Sequence, residues 1–232
     1  MIDAMTNEGR IITAALALAA EKRWADVTLW DIAERASVAL VDLKSHFGSK
    51  GDILTAYTRL VDDEVLRRVP KRAPGLGPRD ALFDVIMGRF DVLAPHKRAL
   101  KSIAADAVMD PSRVAPFVST QRWMLEAAGI SAHGVDGGLR VAGLAAVYGS
   151  VFRTWLDDDD AGLARTMAAL DRRLRRGEQT LNTVADVRRG AERVVDVIAG
   201  LFTKRTARPD ANAPAASSST PASTPPPPAA PI

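Results

Sequence analysis

Cysteine is missing altogether from the 232 residues. That excludes disulfides and thiolate metal sites and agrees with a reducing compartment. Aromatic residues are sparse, at 5% of the chain, and the three histidines, His46, His96 and His133, fall in separate stretches. Imidazole-based catalysis and metal binding therefore find little material, and no GxSxG, GxGxxG or GxxxxGK[ST] pattern occurs. No apolar run approaches the ~18 residues that a membrane span needs. The stretch RIITAALALAA, Arg10 to Ala20, is preceded by Asp3 and Glu8 where a secretory signal carries a basic cluster, and its apolar positions keep helical spacing. These absences predict a soluble, cytoplasmic binding protein, neither an enzyme nor dependent on a cofactor or metal.

An excess of one charge sign is missing too. Lysine and arginine number 31 against 28 aspartates and glutamates, and up to Arg72 the count is 11 against 11. The basic footprint that usually accompanies phosphate binding is thus absent from the first third of the chain.

What is present is helical periodicity almost throughout, with no period-two alternation, so the fold class expected is all-α. A first helix is predicted from about Glu8 to Arg23, with Ile12, Ala15, Leu16 and Ala19 inward. Thr28 is placed to cap a second helix, Leu29 to Ala36, with Asp31 at its third position. A short third helix follows over Ala39 to Phe47, and Ser49 caps a long fourth one, Lys50 to Arg68. Val69 to Pro78 breaks the pattern. Beyond it, Leu82, Phe83, Ile86, Phe90 and Leu93 share one face. Another helix carries Leu100 to Val108 up to Pro111, one spans Pro116 to Ala128, and HGVDGG, His133 to Gly138, reads as a turn. Gly138 to Leu156 is apolar on most sides and should be a central helix. Helices over about Leu163 to Arg176 and Val184 to Phe202 complete the pattern, and the Pro/Ala-rich end lacks the apolar surface to offset ordering entropy. Four consecutive acids, Asp157 to Asp160, suit a helix start or a solvated loop better than a cation site. Arg172, Arg173, Arg175 and Arg176 read as a solvated helix face.

Within the first fifty residues, Ala14-Ala15-Leu16, Ala20-Glu21, Thr28, Asp31-Ile32-Ala33, Val38, Leu43 and His46-Phe47 with Ser49-Lys50 form a set. That set resembles the DNA-binding domain of the TetR/AcrR-type transcriptional regulators. The resemblance implies a helix-turn-helix domain over residues 1–50, a helical ligand-binding and dimerisation domain over 51–203, and a disordered tail over 204–232. It also implies a homodimer on a double-stranded DNA operator. Thr28, Val38, Leu40, Val41, Asp42, Lys44, Ser45, His46 and Lys50 are the DNA-binding residues so implied, with Thr28 and Lys50 on phosphates. Met87, Phe90, Trp123, Tyr148 and Phe152 are the candidate pocket for an apolar small molecule or lipid. Gly143, Ala146 and Gly149 would let a partner helix approach, with Leu144, Val147 and Val151 supplying apolar contact. The chain departs from the family pattern at Arg23, where glycine is usual between the first two helices, and at Ala39, where serine or threonine commonly caps the third. It departs again at Lys44, which replaces a tyrosine. The stretch from Leu82 to Ile103 and the one from Thr154 to Arg176 are similar to the TetR-like proteins of ubiquinone biosynthesis, which hold an isoprenoid lipid. A lipid-binding accessory protein with a degenerate helix-turn-helix is therefore the alternative reading.

Overall fold

The computed structural model describes residues 2–69, 77–106 and 114–179, all within one compact unit that ends at Thr183. Among the described residues there are helices and no strand. The helix expected over 184–202 and the tail expected over 204–232 lie outside the described residues.

Helix α1, Asn7–Glu21, starts where the Thr6 side chain accepts the Gly9 N–H at 3.0 Å. Its inner face buries Ile11, Ile12, Ala15, Leu16 and Ala19. It stops two residues short of Arg23, because Lys22 is already extended and the chain drops into a 3-10 turn, Trp24–Asp26, that buries the Trp24 ring. A later helix, α6 (Lys97–Ala105), fixes this turn together with its C-cap Asp106. Ser102 Oγ accepts from the Trp24 N–H at 3.0 Å and donates to the Lys22 carbonyl at 3.1 Å, and Asp106 accepts from the Ala25 N–H at 2.9 Å. Arg23 itself has φ −59°, so the position asks for no left-handed residue and the missing glycine carries no strain.

Helix α2, Leu29–Ala36, opens with a full capping box between Thr28 and Asp31. It closes at Ser37, whose left-handed φ of 52° lets the Ser37 and Val38 N–H groups return to the last carbonyls of the helix. Helix α3, Leu40–His46, follows. Helix α4, Lys50–Arg68, is capped by Ser49 and buries Ile53, Tyr57, Val61 and Val65 along one stripe at four-residue spacing.

Helix α5, Pro78–Leu93, begins with proline at its first position, where a missing N–H is harmless. A 3-10 turn, Ala94–His96, leads into α6, Lys97–Ala105, with Asp106 as its C-cap; the rest of the helix expected up to Pro111 lies outside the described residues. Helix α7 is Val114–Ala127 and α8 is Gly134–Leu156. The residues expected as a turn, His133 to Gly138, are instead the cap and first turn of α8. Gly137 makes this possible: a Cβ there would lie 2.2 Å from the Ala132 carbonyl carbon, so only glycine lets the helix start against that backbone. A last helix, α9, covers residues 164–179. The acidic run before it does not converge on a point. Asp158 accepts the Thr166 N–H and hydroxyl, Asp160 accepts the Ala164 N–H, and Asp157 pairs with Lys101.

Candidate nucleic-acid interface and ligand pocket

Helix α3 has only seven residues, too few to persist alone, so its position is set by two buried side chains, Leu43 within it and Phe47 at its C-cap. Those two anchors turn the opposite face outward: Val41 is 71% exposed while Leu43 is 1% exposed. Leu40, Asp42, Lys44, Ser45 and His46 are exposed with Val41, and Val38 is half-buried against the core. The Ser45 hydroxyl donates to the Asp42 carbonyl at 2.7 Å within the helix. Ala39 has the extended backbone of an N-cap but makes no side-chain bond to α3.

The turn between α2 and α3 is clamped from behind. Arg10 donates through Nε and Nη2 to the Ala36 carbonyl, at 3.0 and 2.6 Å, and through Nη2 to the Ser37 carbonyl at 2.5 Å. Sequence reasoning passed over this arginine. Its signal was a cation on the flank of an otherwise apolar helix. Trp30 was passed over as well; it lies off the Ile32, Ala33, Ala36 stripe of α2 and is exposed. The Thr28 side chain accepts the Asp31 N–H at 3.1 Å, and Asp31 returns the bond to the Thr28 N–H at 2.9 Å. Asp31 also receives Lys22 Nζ at 2.8 Å. The Lys22 bond, followed by the two bonds with Thr28, pulls the Asp31 carboxyl down to about 2.

Lys50 is placed differently from the phosphate contact expected of it. Its ammonium turns inward, donates to the Trp24 carbonyl at 2.9 Å and the Val27 carbonyl at 2.6 Å, and stands 4.8 Å from the centre of the Trp24 ring. Partial burial holds its pKa below the usual lysine value. Lys50 therefore ties the start of α4 to the turn ahead of α2.

Of the expected pocket residues, Phe90, Tyr148 and Phe152 come together. Phe90 stacks on Tyr148 and Trp155 at 5.7 and 5.2 Å between ring centres, and Phe152 stacks on the same two rings at 5.9 and 5.6 Å. Met87 is half-buried next to this stack in sequence, whereas Trp123 is 53% exposed and turns outward. A cavity of about 400 Å³ lies between α5 and α9, lined by Phe83, Asp84, Met167 and Leu174 among others, and shares no residue with the expected set. On α8, Gly143 and Gly149 face open space and Ala146 is exposed, while Leu144 and Val151 are buried in the subunit's own core rather than held out for a partner. Among the described residues no group of histidine and carboxylate side chains is arranged to hold a metal ion, and no helix is long and apolar enough to cross a membrane.

Neither a protein-family model nor a curated protein matches the sequence. Solved structures do match. A TetR transcriptional regulator from Nitrosomonas europaea ATCC 19718 is 22% identical over 74% of this chain and 98% of its own, with a TM-score of 0.60. One from Rhodococcus sp. RHA1 is 23% identical over 72% of this chain and 95% of its own, with a TM-score of 0.54. A TetR-family regulator from Streptomyces coelicolor is 16% identical over 84% and 99%, with a TM-score of 0.50. At these identities the likeness concerns the backbone alone. The chain has the fold of the TetR-type transcriptional regulators.

Proposed function

We propose that the protein is a TetR-like transcriptional regulator, a repressor that binds double-stranded DNA as a homodimer in the cytoplasm and is released by an apolar ligand. Residues 1–50 read the operator and the helices from 51 onward hold the ligand and the partner subunit. The observation that carries this reading is the presentation of α3, whose apolar anchors are buried and whose Leu40, Val41, Asp42, Lys44, Ser45 and His46 are all exposed. Val41 and Ser45 are suited to base edges, Asp42 to a cytosine amino group, and Lys44 to phosphate. The Thr28 hydroxyl, at the N-cap of α2, is the second group suited to a phosphate. Phe90, Tyr148, Phe152 and Met87 supply the apolar wall of the ligand site. The exposed residues Val135, Leu139 and Trp123 on α7 and α8 offer part of the subunit contact. Ligand release follows if the bound form disfavours the ~34 Å spacing of two α3 helices that successive major grooves require.

The test is binding to fragmented genomic DNA at ~50 mM salt, where electrostatic attraction is strongest. Selective recovery of particular sequences is the expected result. With the recovered site, Lys44→Ala should weaken binding to every sequence by a similar factor and reduce the salt slope by about one per subunit. Failure to retain any DNA at that salt overturns the regulator reading.

A further inference from the structure

Arg89 is a buried cation, 5% exposed, on the apolar face of α5. A guanidinium stays charged at any pH a protein meets, so it must be paired where it is. Its Nε–H donates to the Tyr148 hydroxyl at 3.1 Å and Nη1 donates to one oxygen of Asp62; the other Asp62 oxygen accepts from the Thr120 hydroxyl at 2.7 Å. The pair is thus single-stranded. A planar guanidinium matches a carboxylate best through two parallel bonds, and here Tyr148 and Thr120 divert one donor and one acceptor from that match.

Two further buried polar atoms in the same group of helices have no protein partner. The Tyr57 hydroxyl lies on α4 close enough for the Arg89 charge to work against the rise that burial gives its pKa, and Gln121 Oε1 lies on α7 beside Thr120. Native interiors rarely leave such groups unmet. The Tyr148 ring at this point belongs to the aromatic stack of Phe90, Phe152 and Trp155, so the buried charge adjoins an apolar aromatic wall.

We propose that Arg89 is the recognition cation for an effector of the apolar carboxylic-acid class, whose carboxylate replaces Asp62 on the guanidinium while its hydrocarbon body packs on the aromatic stack. This rests on the ligand-released reading above and names the chemistry of its ligand. Asp62 is the less buried partner, at 15% side-chain exposure against 6% for Arg89, so exchange proceeds from its side. Tyr57 supplies a hydroxyl donor to the incoming carboxylate. Exchange removes one of the two bonds that Asp62 makes, on α4, the helix that comes directly after the recognition helix, and leaves its bond from Thr120 in place.

Titration calorimetry on the full chain without DNA tests the proposal, with octanoate and 4-phenylbutyrate compared with their methyl esters. The acids are expected to bind and the esters to bind at least about tenfold more weakly, because only an anion rewards the buried guanidinium. Asp62→Asn removes the competing carboxylate and should tighten acid binding by about tenfold or more, a gain that a merely misfolded variant cannot produce. Arg89→Gln should abolish the preference for acid over ester. Selective acid binding by Asp62→Asn alone still supports the site, with Asp62 as the stronger competitor. Equal binding of acids and esters, no acid binding to either the wild-type protein or Asp62→Asn, or weaker acid binding to Asp62→Asn overturns it. Since no DNA enters these titrations, a chain that binds acids in this way but retains no DNA loses the regulator reading and keeps the site, and the reverse result does the opposite.

Discussion

Helix α3 and the interior around Arg89 both hold charged groups in fixed positions, but by different means. Around α3 the backbone is constrained from several independent directions. The Thr28 and Asp31 capping box starts α2, Ser37 ends it, Arg10 grips the turn, and Leu43 and Phe47 anchor α3 itself. The side chains on the outer face are then left free of structural duty. Around Arg89 the duty falls on the charged groups themselves, since Arg89, Asp62, Tyr148 and Thr120 join α4, α5, α7 and α8 through three bonds in sequence. A surface built the first way tolerates changes to its outward residues. An interior built the second way depends on each member.

The largest effect expected from this contrast is at Arg89. Arg89→Met leaves Asp62 unpaired in a largely buried place and should lower the unfolding free energy by about 3–5 kcal/mol in urea denaturation. A loss under about 1 kcal/mol would put both regions in the same class. Next is Lys50→Met, which keeps the stem but leaves the Trp24 and Val27 carbonyls without their donor. It should cost about 1–2 kcal/mol. DNA affinity should fall without any change in salt slope, in contrast to Lys44→Ala, and a slope reduced by about one charge would return Lys50 to the phosphates. The smallest effect is a gain. Ala39 already has N-cap geometry, so Ala39→Ser should stabilise the protein by about 1 kcal/mol in the same urea assay, with the backbone of α3 unmoved.

These differences also explain what the sequence made legible. Helix α2 was readable to the residue because its start and its third position carry local capping chemistry, and the start of α4 was readable from the Ser49 cap. The inward turn of Lys50 was not, because its acceptors lie 26 and 23 residues away and leave no mark near it. Arg89 did leave a mark. With Leu82, Ile86 and Leu93 it falls at positions 82, 86, 89 and 93, on the apolar stripe of α5, and a charge there signals a buried pair. What the spacing lacked was the identity of the partner, which comes from another helix. The start of α8 was misplaced for a related reason: HGVDGG has turn composition, and the pressure of Gly137 on the Ala132 backbone is a tertiary fact. Leu144 and Val151 were assigned to a partner because periodicity marks an apolar face without saying which body covers it.

Helix α4 has a mechanical consequence. It is one unbroken rod of 19 residues, fastened near its first residue to the Trp24 and Val27 carbonyls and again at Asp62, twelve residues on. At 1.5 Å per residue the two fastenings are about 18 Å apart. A tilt of about 5° around the first displaces the second by about 1.6 Å, more than a charge-assisted bond can stretch and survive. With Asp62 held by both Arg89 and Thr120 and with Val61 and Val65 buried beside it, the angle at which α4 leaves the recognition helix is fixed as tightly as those bonds are.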